Sequence, residues 1–443
     1  MILNIKSLNN NLLDILCKNP DTDNGLYCKS LKNGQIIGNV VGRNEYEVVF
    51  QDRQYSYCPE DSNSLDYQSY CSPLAVLHIC NELFSHILKS RKEFTEKPIK
   101  WLGITQGEAD NAMCTIEIPS FYIDSNWYRN GRFLLSKYFE GIKVERQSHR
   151  IFRLTVTGKS VFDAFNLLVL TAVFTHVTND YRMFVYIDDN MAQKFGRILT
   201  NIENVPYFVF YLYIMRAVKS TGQFEGLKPV FENYLANNGL KANLVIEGTL
   251  RQRINFITNL LELNIPVLDI GCGELIYYKK MMARDFAATY YAVDKNTDME
   301  QLAANISRRY EENNLFFYSS LEEFNTDNAE EQVNIILTEV IEHNSMDEAK
   351  ALITKALSYN FNKLIITTPN VEFNPFYSME DAFRHEDHCF ELTRDEFRSL
   401  ITSCIEGNKV NVEYFYLGDS LNGIQPTQGC IIFNYELKIT NDE

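Results

Sequence analysis

Val267-Leu268-Asp269-Ile270-Gly271-Cys272-Gly273-Glu274, followed by Tyr290-Tyr291-Ala292-Val293-Asp294, is the stretch that decides the fold. A short apolar run enters a turn with two glycines, and a second apolar run ends on an acid 25 residues after Asp269. Glycines there let the backbone approach a ligand closely at the carboxyl end of a sheet. An acid closing the second strand is placed to accept both hydroxyls of a ribose. Leu275 follows, so the full G-x-G-x-x-G pattern that grips a pyrophosphate is absent. A ligand with an adenosine and no phosphate fits better, and S-adenosylmethionine is the obvious candidate. The plainer alternative is a tight strand-to-helix turn beside an exposed acid, but strand, turn and distal acid agree on the cofactor.

Outward from that stretch, strands alternate with helices. A helix is expected over 249–263, then strands at 267–270, 288–293 and 316–318 with a helix over 300–313. A variable segment follows, then strand 333–337, helix 347–358, strand 363–367 and final strands near 410–417 and 430–437. Such alternation predicts a parallel, doubly wound sheet with the last two strands as an antiparallel edge. The first half reads as strands and turns with a helix over 73–89, a helix at 134–138 running into a strand near Val144, a strand at 151–157 and a buried helix over 161–175. A turn-rich connection at 180–189 leads to helices over 191–200 and 208–219. The polar run 236–241 (ANNGLK) predicts a boundary between an α+β domain, 1–240, and an α/β domain, 241–443.

At about 150 residues per domain, 443 residues make two or three domains. Apolar (45%) and charged (23%) fractions argue against a disordered, collagen-like or membrane chain. From Glu247 onward there are 16 basic and 33 acidic residues, so the second half carries the whole excess of the −16 net charge. An acidic domain repels nucleic acid unless a metal ion or a basic pocket intervenes. None of the ten cysteines falls at C-x-x-C spacing, which argues against a cysteine zinc site. The amino terminus lacks a basic-then-apolar signal, and the most apolar stretch, 164–177, contains Asn166 and is too short to span a bilayer. A reducing cytoplasm is the expected location.

Two further constellations carry chemistry. Glu339-Val340-Ile341-Glu342-His343 follows the fourth strand of the second half. A helix starting here would put Glu339, Glu342 and His343 on one face. Two carboxylates and an imidazole suit Mg²⁺ or Mn²⁺ more than zinc. A solvated helix start is the commoner explanation of such a run, but this one lies beside the cofactor turn. Arg384-His385-Glu386-Asp387-His388-Cys389-Phe390-Glu391-Leu392-Thr393-Arg394 follows Thr368-Pro369-Asn370 after the fifth strand, and His388 is able to complete a Glu, Glu, His, His set. An octahedral ion with four protein ligands keeps two positions, enough for the vicinal hydroxyls of a terminal ribose. Such an ion would activate the 2′-hydroxyl toward a sulfonium methyl, select RNA 3′ ends, and offset part of the local negative charge. Glu342, His343 and His388 are the expected catalytic groups.

Together, Leu250-Arg251-Gln252-Arg253, VLDIGCGE, YAVD, EVIEH, TTPNVEFN and RHEDHCFELTR resemble the HEN-type RNA 3′-terminal ribose 2′-O-methyltransferases. The resemblance implies a Rossmann-like class I methyltransferase with a seven-stranded, mostly parallel sheet. It implies a metal held by Glu339, Glu342, His343 and His388, and a cofactor pocket with Asp269, Gly271, Gly273 and Asp294. Ser320 and Leu321 are expected at that pocket, and Arg384, Phe390 and Arg251 at the RNA. Leu275 and Leu392 depart from the family pattern, at positions where it commonly has Gly and Trp. The first half resembles the amino-terminal domain of bacterial members through 18–21 (KNPD), 133–144, 154–167 and 179–181. That implies docking on a polynucleotide kinase-phosphatase-ligase and methylation of cleaved RNA, a tRNA or a small RNA, during repair. Two rivals remain open: a methyltransferase for a small molecule, which would need neither RNA nor metal, and a non-catalytic ligase-activating adaptor, which has no reason to keep a metal site.

Overall fold

Val267–Ile270 is buried at every residue and forms an interior strand of a seven-stranded sheet. In chain order the strands of that sheet are β1 (Val267–Ile270), β2 (Tyr290–Val293), β3 (Leu315–Tyr318), β4 (Val333–Thr338), β5 (Phe361–Pro369), β6 (Val410–Leu417) and β7 (Thr427–Asn434). The spatial order is β3-β2-β1-β4-β5-β7-β6. The first five are parallel, and β7 pairs antiparallel with both β5 and β6. This is the expected Rossmann-like sheet. Its strand order reverses between β1 and β4, where open α/β sheets bind ligands.

Alternate residues of the strands feed two apolar layers. Leu268, Ile270, Ile335 and Leu337 pack on one face, and Val267, Tyr290, Ala292 and Ile336 on the other. Burial on both faces explains the nearly continuous apolar runs. Two of the covering helices begin at capping boxes. Ser345 and Glu348 form a capping box for Met346–Leu357, and Thr393 and Glu396 one for Arg394–Ile405.

The computed structural model describes residues 1–18, 26–31, 34–52, 71–124, 127–129, 132–179, 188–310, 313–328, 331–379 and 383–434. Most of 18–21 and of 179–181, the connection 180–187, Cys58 and the expected strand beyond Asn434 lie outside them. The chain divides into two compact units, Met1–Asn238 and Gly239–Glu443.

The first unit contains a seven-stranded antiparallel sheet in the order Ile142–Ser148, Ile151–Gly158, Cys114–Tyr122, Ile2–Ser7, Glu45–Asp52, Gly34–Gly42, Leu26–Leu31. The helix Val161–Thr178 packs against this sheet and against three other helices. It is 18 residues, longer than the sequence suggested, and passes a length and apolarity test for a membrane span. Its burial in the unit's core, on nearly every face, accounts for that apolarity. Leu134–Lys137 is one 3-10 turn where a helix was expected. The helix Thr221–Asn237 was not expected, because Gly222, Gly226 and Pro229 interrupt its pattern. Ser220 caps it, and Phe224, Leu227, Phe231 and Leu235 supply a buried face that outweighs those residues.

Candidate active site

The turn after β1 and the turn after β4 lie side by side at the carboxyl ends of adjacent strands. Gly271 has φ +76°, and a Cβ there would come within 2.4 Å of Val340 Cγ2, so both backbone and packing require glycine. Gly273 (φ +47°) faces open space: a Cβ there would meet no atom within 4 Å, which leaves room for a ligand against its backbone. Its N–H donates to Asp294 Oδ2 at 2.9 Å, and the N–H of Asn296 donates to Oδ1 at 2.9 Å. An ionised carboxylate keeps further lone pairs for ribose hydroxyls. Asp294 also donates its N–H to Tyr318 O, tying the end of β2 to β3. Just beyond, Ser320 Oγ accepts the N–H of Glu323, and the Leu321 side chain is buried in the core.

Asp269 supports the turn from inside. It is buried, accepts the Tyr290 hydroxyl at 2.5 Å, and burial pushes its carboxyl up to about 7. An unfolded aspartate releases its proton near 3.8. Between those values the folded state binds more protons. The stability of the neutral carboxyl is therefore full below about pH 4 and lost as pH rises through about 7, by up to about 4 kcal/mol. Asp269→Asn should flatten the fall in unfolding free energy between about pH 4 and about pH 7, measured by denaturant titration. An unchanged slope would contradict this account.

The EVIEH segment does not begin an α-helix. Glu339 adopts a left-handed backbone (φ 53°), and only Ile341–His343 forms a 3-10 turn before Asn344 leaves it. Left-handed backbone at a non-glycine residue is costly and clusters at functional sites. The consequence is a change of neighbours. Glu339 Oε2 pairs with Arg253 Nη1 at 2.9 Å, and Oε1 accepts the Thr367 hydroxyl at 3.0 Å. Glu342, His343 and His388 converge instead, each offering a ligand atom within 4.8 Å of the others. Ligands of one Mg²⁺ at about 2.1 Å lie about 3.0 Å apart when adjacent and about 4.2 Å apart when opposite, so the three groups have to draw together to hold an ion.

Glu342 carries the mark of a missing partner. Its Oε2 accepts the Thr368 hydroxyl at 3.1 Å, while the buried Oε1 has no hydrogen-bond partner. Burial, then the Glu339 carboxylate, push its carboxyl up to about 8. A cation at Oε1 would remove both penalties, so the donor set fits a divalent ion. Cys389 donates its N–H to Glu342 O at 2.8 Å, which brings the loop carrying His388 onto the 3-10 turn. The two imidazoles stand edge to face, centroids 4.8 Å apart. His343 Nδ1 lies 3.1 Å from Asp387 Oδ2, and His388 Nδ1 lies 2.7 Å from Glu391 Oε1.

Residues 2–236 match the family model for the Hen1 N-terminal domain. The chain belongs to the Hen1 family. Over 98% of its length it is similar, at 47% identity and a TM-score of 0.87, to the whole of a chain in the solved Pnkp1/Rnl/Hen1 RNA repair complex. A second structure of the Pnkp1/Rnl/Hen1 complex gives a TM-score of 0.84 at the same identity and coverage. Over 69 residues the chain is 35% identical to the small RNA 2′-O-methyltransferase of Gallus gallus, covering 16% of this chain and 18% of that protein. Over 69 residues it is 40% identical to that of Caenorhabditis elegans, covering 15% and 16%. The chain thus spans less than a fifth of these curated relatives.

The remaining expected residues of this Hen1-family chain divide by burial. Arg251 is exposed on the helix Gly248–Leu260, and Arg253, two residues on, pairs with Glu339. Phe390 is half-buried and packs on the core. Arg384 is half-buried, donating Nε to Asn374 Oδ1 at 2.8 Å and Nη2 to Asn370 O at 2.7 Å, with its guanidinium over Tyr377. Arg253, Asn374 and Glu391 were not singled out from sequence. Glu391 had one signal, its spacing three residues after His388; Arg253 and Asn374 lay unranked inside quoted motifs.

Proposed function

We propose that this chain is an S-adenosylmethionine-dependent methyltransferase that methylates the 2′-hydroxyl of the 3′-terminal ribose of RNA, with Mg²⁺ or Mn²⁺, during RNA repair. The observation that carries the reading is the convergence of Glu342, His343 and His388, with an unpartnered buried carboxylate oxygen, at the strand reversal beside the glycine turn. Glu339 is the fourth ligand in this reading. Similarity to a chain of the Pnkp1/Rnl/Hen1 RNA repair complex supports RNA as substrate and a kinase-phosphatase-ligase as partner of the first unit.

When bound, the ion would hold the vicinal hydroxyls of the terminal ribose and lower the pKa of the 2′-hydroxyl. The protein's own groups do the rest. Gly273 and Asp294 hold the cofactor's ribose, fixing the sulfonium relative to the acceptor. The 2′-oxygen attacks the methyl carbon as the bond to sulfur breaks, leaving the neutral thioether. His385 is the imidazole of the cluster outside the ligand set; it is exposed, with its ring centroid 5.2 Å from that of His388. In this reading an imidazole of the cluster takes the hydroxyl proton.

Methyl-tritiated S-adenosylmethionine and a short RNA with a free 3′ end test the reading. Label is expected in the RNA with Mn²⁺ and absent with EDTA. Label in the small-molecule fraction of a cell extract, and none in RNA, would favour the small-molecule methyltransferase.

A further inference from the structure

We infer that Glu391 is a positioning residue that makes His388 a ligand, by fixing which of its ring nitrogens is free. The inference rests on the metal reading above. The side chains of His388 and Glu391 are 2% and 0% exposed. Glu391 Oε1 lies 2.7 Å from His388 Nδ1 and also accepts the backbone N–H of Arg384 at 2.7 Å. Its other oxygen, Oε2, accepts the Asn374 amide at 2.6 Å.

The neighbours dictate the direction of each bond. The Arg384 guanidinium only donates, so the amide oxygen of Asn374 must face Arg384 Nε and its NH₂ must face Glu391. Glu391 therefore receives a donor on each oxygen from groups that cannot reverse, so it acts toward the ring as an acceptor. His388 Nδ1 must carry the proton and donate it. That leaves the lone pair on Nε2, the nitrogen on the far side of the ring, for an ion. A carboxylate behind a ligating imidazole orients the ring and raises its basicity, and losing such a partner typically costs about 10- to 100-fold in metal affinity.

His343 provides the contrast. Its partner Asp387 is 71% exposed, so solvent competes for that bond. Glu391 is held on both oxygens by buried or half-buried groups, so His388 is the fixed ligand and His343 the adjustable one. Asn374 sits in the 3-10 segment Val371–Tyr377 that follows β5, so this chain of contacts anchors the ligand to the sheet.

The test is Mn²⁺ binding to the full chain, read from the electron paramagnetic resonance signal of the free ion. Glu391→Gln keeps the shape and removes the charge. It is expected to weaken Mn²⁺ by about 10- to 100-fold and to raise the Mn²⁺ concentration that half-saturates methyl transfer by the same factor. Excess Mn²⁺ should restore most of the rate. Asp387→Asn should change affinity by less than about 3-fold. A merely structural role would lower the rate at every Mn²⁺ concentration and leave the half-saturation point in place, which overturns the inference, as does a Glu391→Gln affinity within about 2-fold of the unaltered protein. If Glu391→Gln does not fold, Glu391→Asp, which keeps the charge and shortens its reach, should show the same weakening, and undiminished affinity there is equally fatal. Unaltered protein that takes up no Mn²⁺ overturns the metal reading itself.

Discussion

Glu342→Ala and His388→Ala should each reduce methyl transfer to RNA by at least about 10³-fold, while affinity for S-adenosylmethionine, measured by calorimetry, stays within about 2-fold. Loss of Lewis-acid stabilisation of a developing alkoxide costs several kcal/mol, and about 4 kcal/mol is a thousandfold in rate. The proposed cofactor contacts are at Gly273 and Asp294, which these substitutions do not touch. Folding gives an independent check. Glu342 is buried with one oxygen unpartnered, so removing its carboxyl relieves a desolvated group, and Glu342→Ala should melt no lower than the unaltered protein by more than a few degrees. Transfer that survives in either variant rules out the metal mechanism.

RNA ends altered at the hydroxyl pair should be inert. A 2′-deoxy end has no nucleophile. A 3′-phosphate removes one of two neighbouring hydroxyls and brings negative charge against Glu342 and Glu339, in a half of the chain with 33 acidic and 16 basic residues. A fall of at least about 10³-fold is expected for the 3′-phosphate, consistent with loss of a positioned hydroxyl together with like-charge repulsion. Both substrates can be followed by transfer of tritiated methyl to oligonucleotides that differ only at the end. Methylation of either end at the rate of unaltered RNA refutes the two-hydroxyl account.

The sheet was legible because its signals are local. Four buried residues before Gly271, the acid at Asp294 and the alternation that follows name the strands and the glycine turn without reference to distant contacts. EVIEH and the Asp387-His388 pair were also legible as donor sets, although 45 residues separate His343 from His388. The details were not, because tertiary contacts decide them. A helix from Glu339 was the natural expectation for acids at that spacing. The Val340 side chain packed against Gly271, and the ion pair with Arg253, hold Glu339 in a left-handed conformation instead. Glu391 belonged to a quoted motif, but its value lies in Asn374 and Arg384 converging on it from other segments. In the first unit, the helix Thr221–Asn237 was hidden by Pro229 and two glycines, and only its buried aromatic face reveals why it forms.

Anomalous scattering from crystals grown with Mn²⁺ tests the central claim most directly. One manganese peak bonded to the Glu342 carboxylate and to ring nitrogens of His343 and His388, with Glu339 turned from Arg253 to join them, is the predicted result. Density with no manganese among these side chains, and imidazoles rotated away from the carboxylates, would contradict the account.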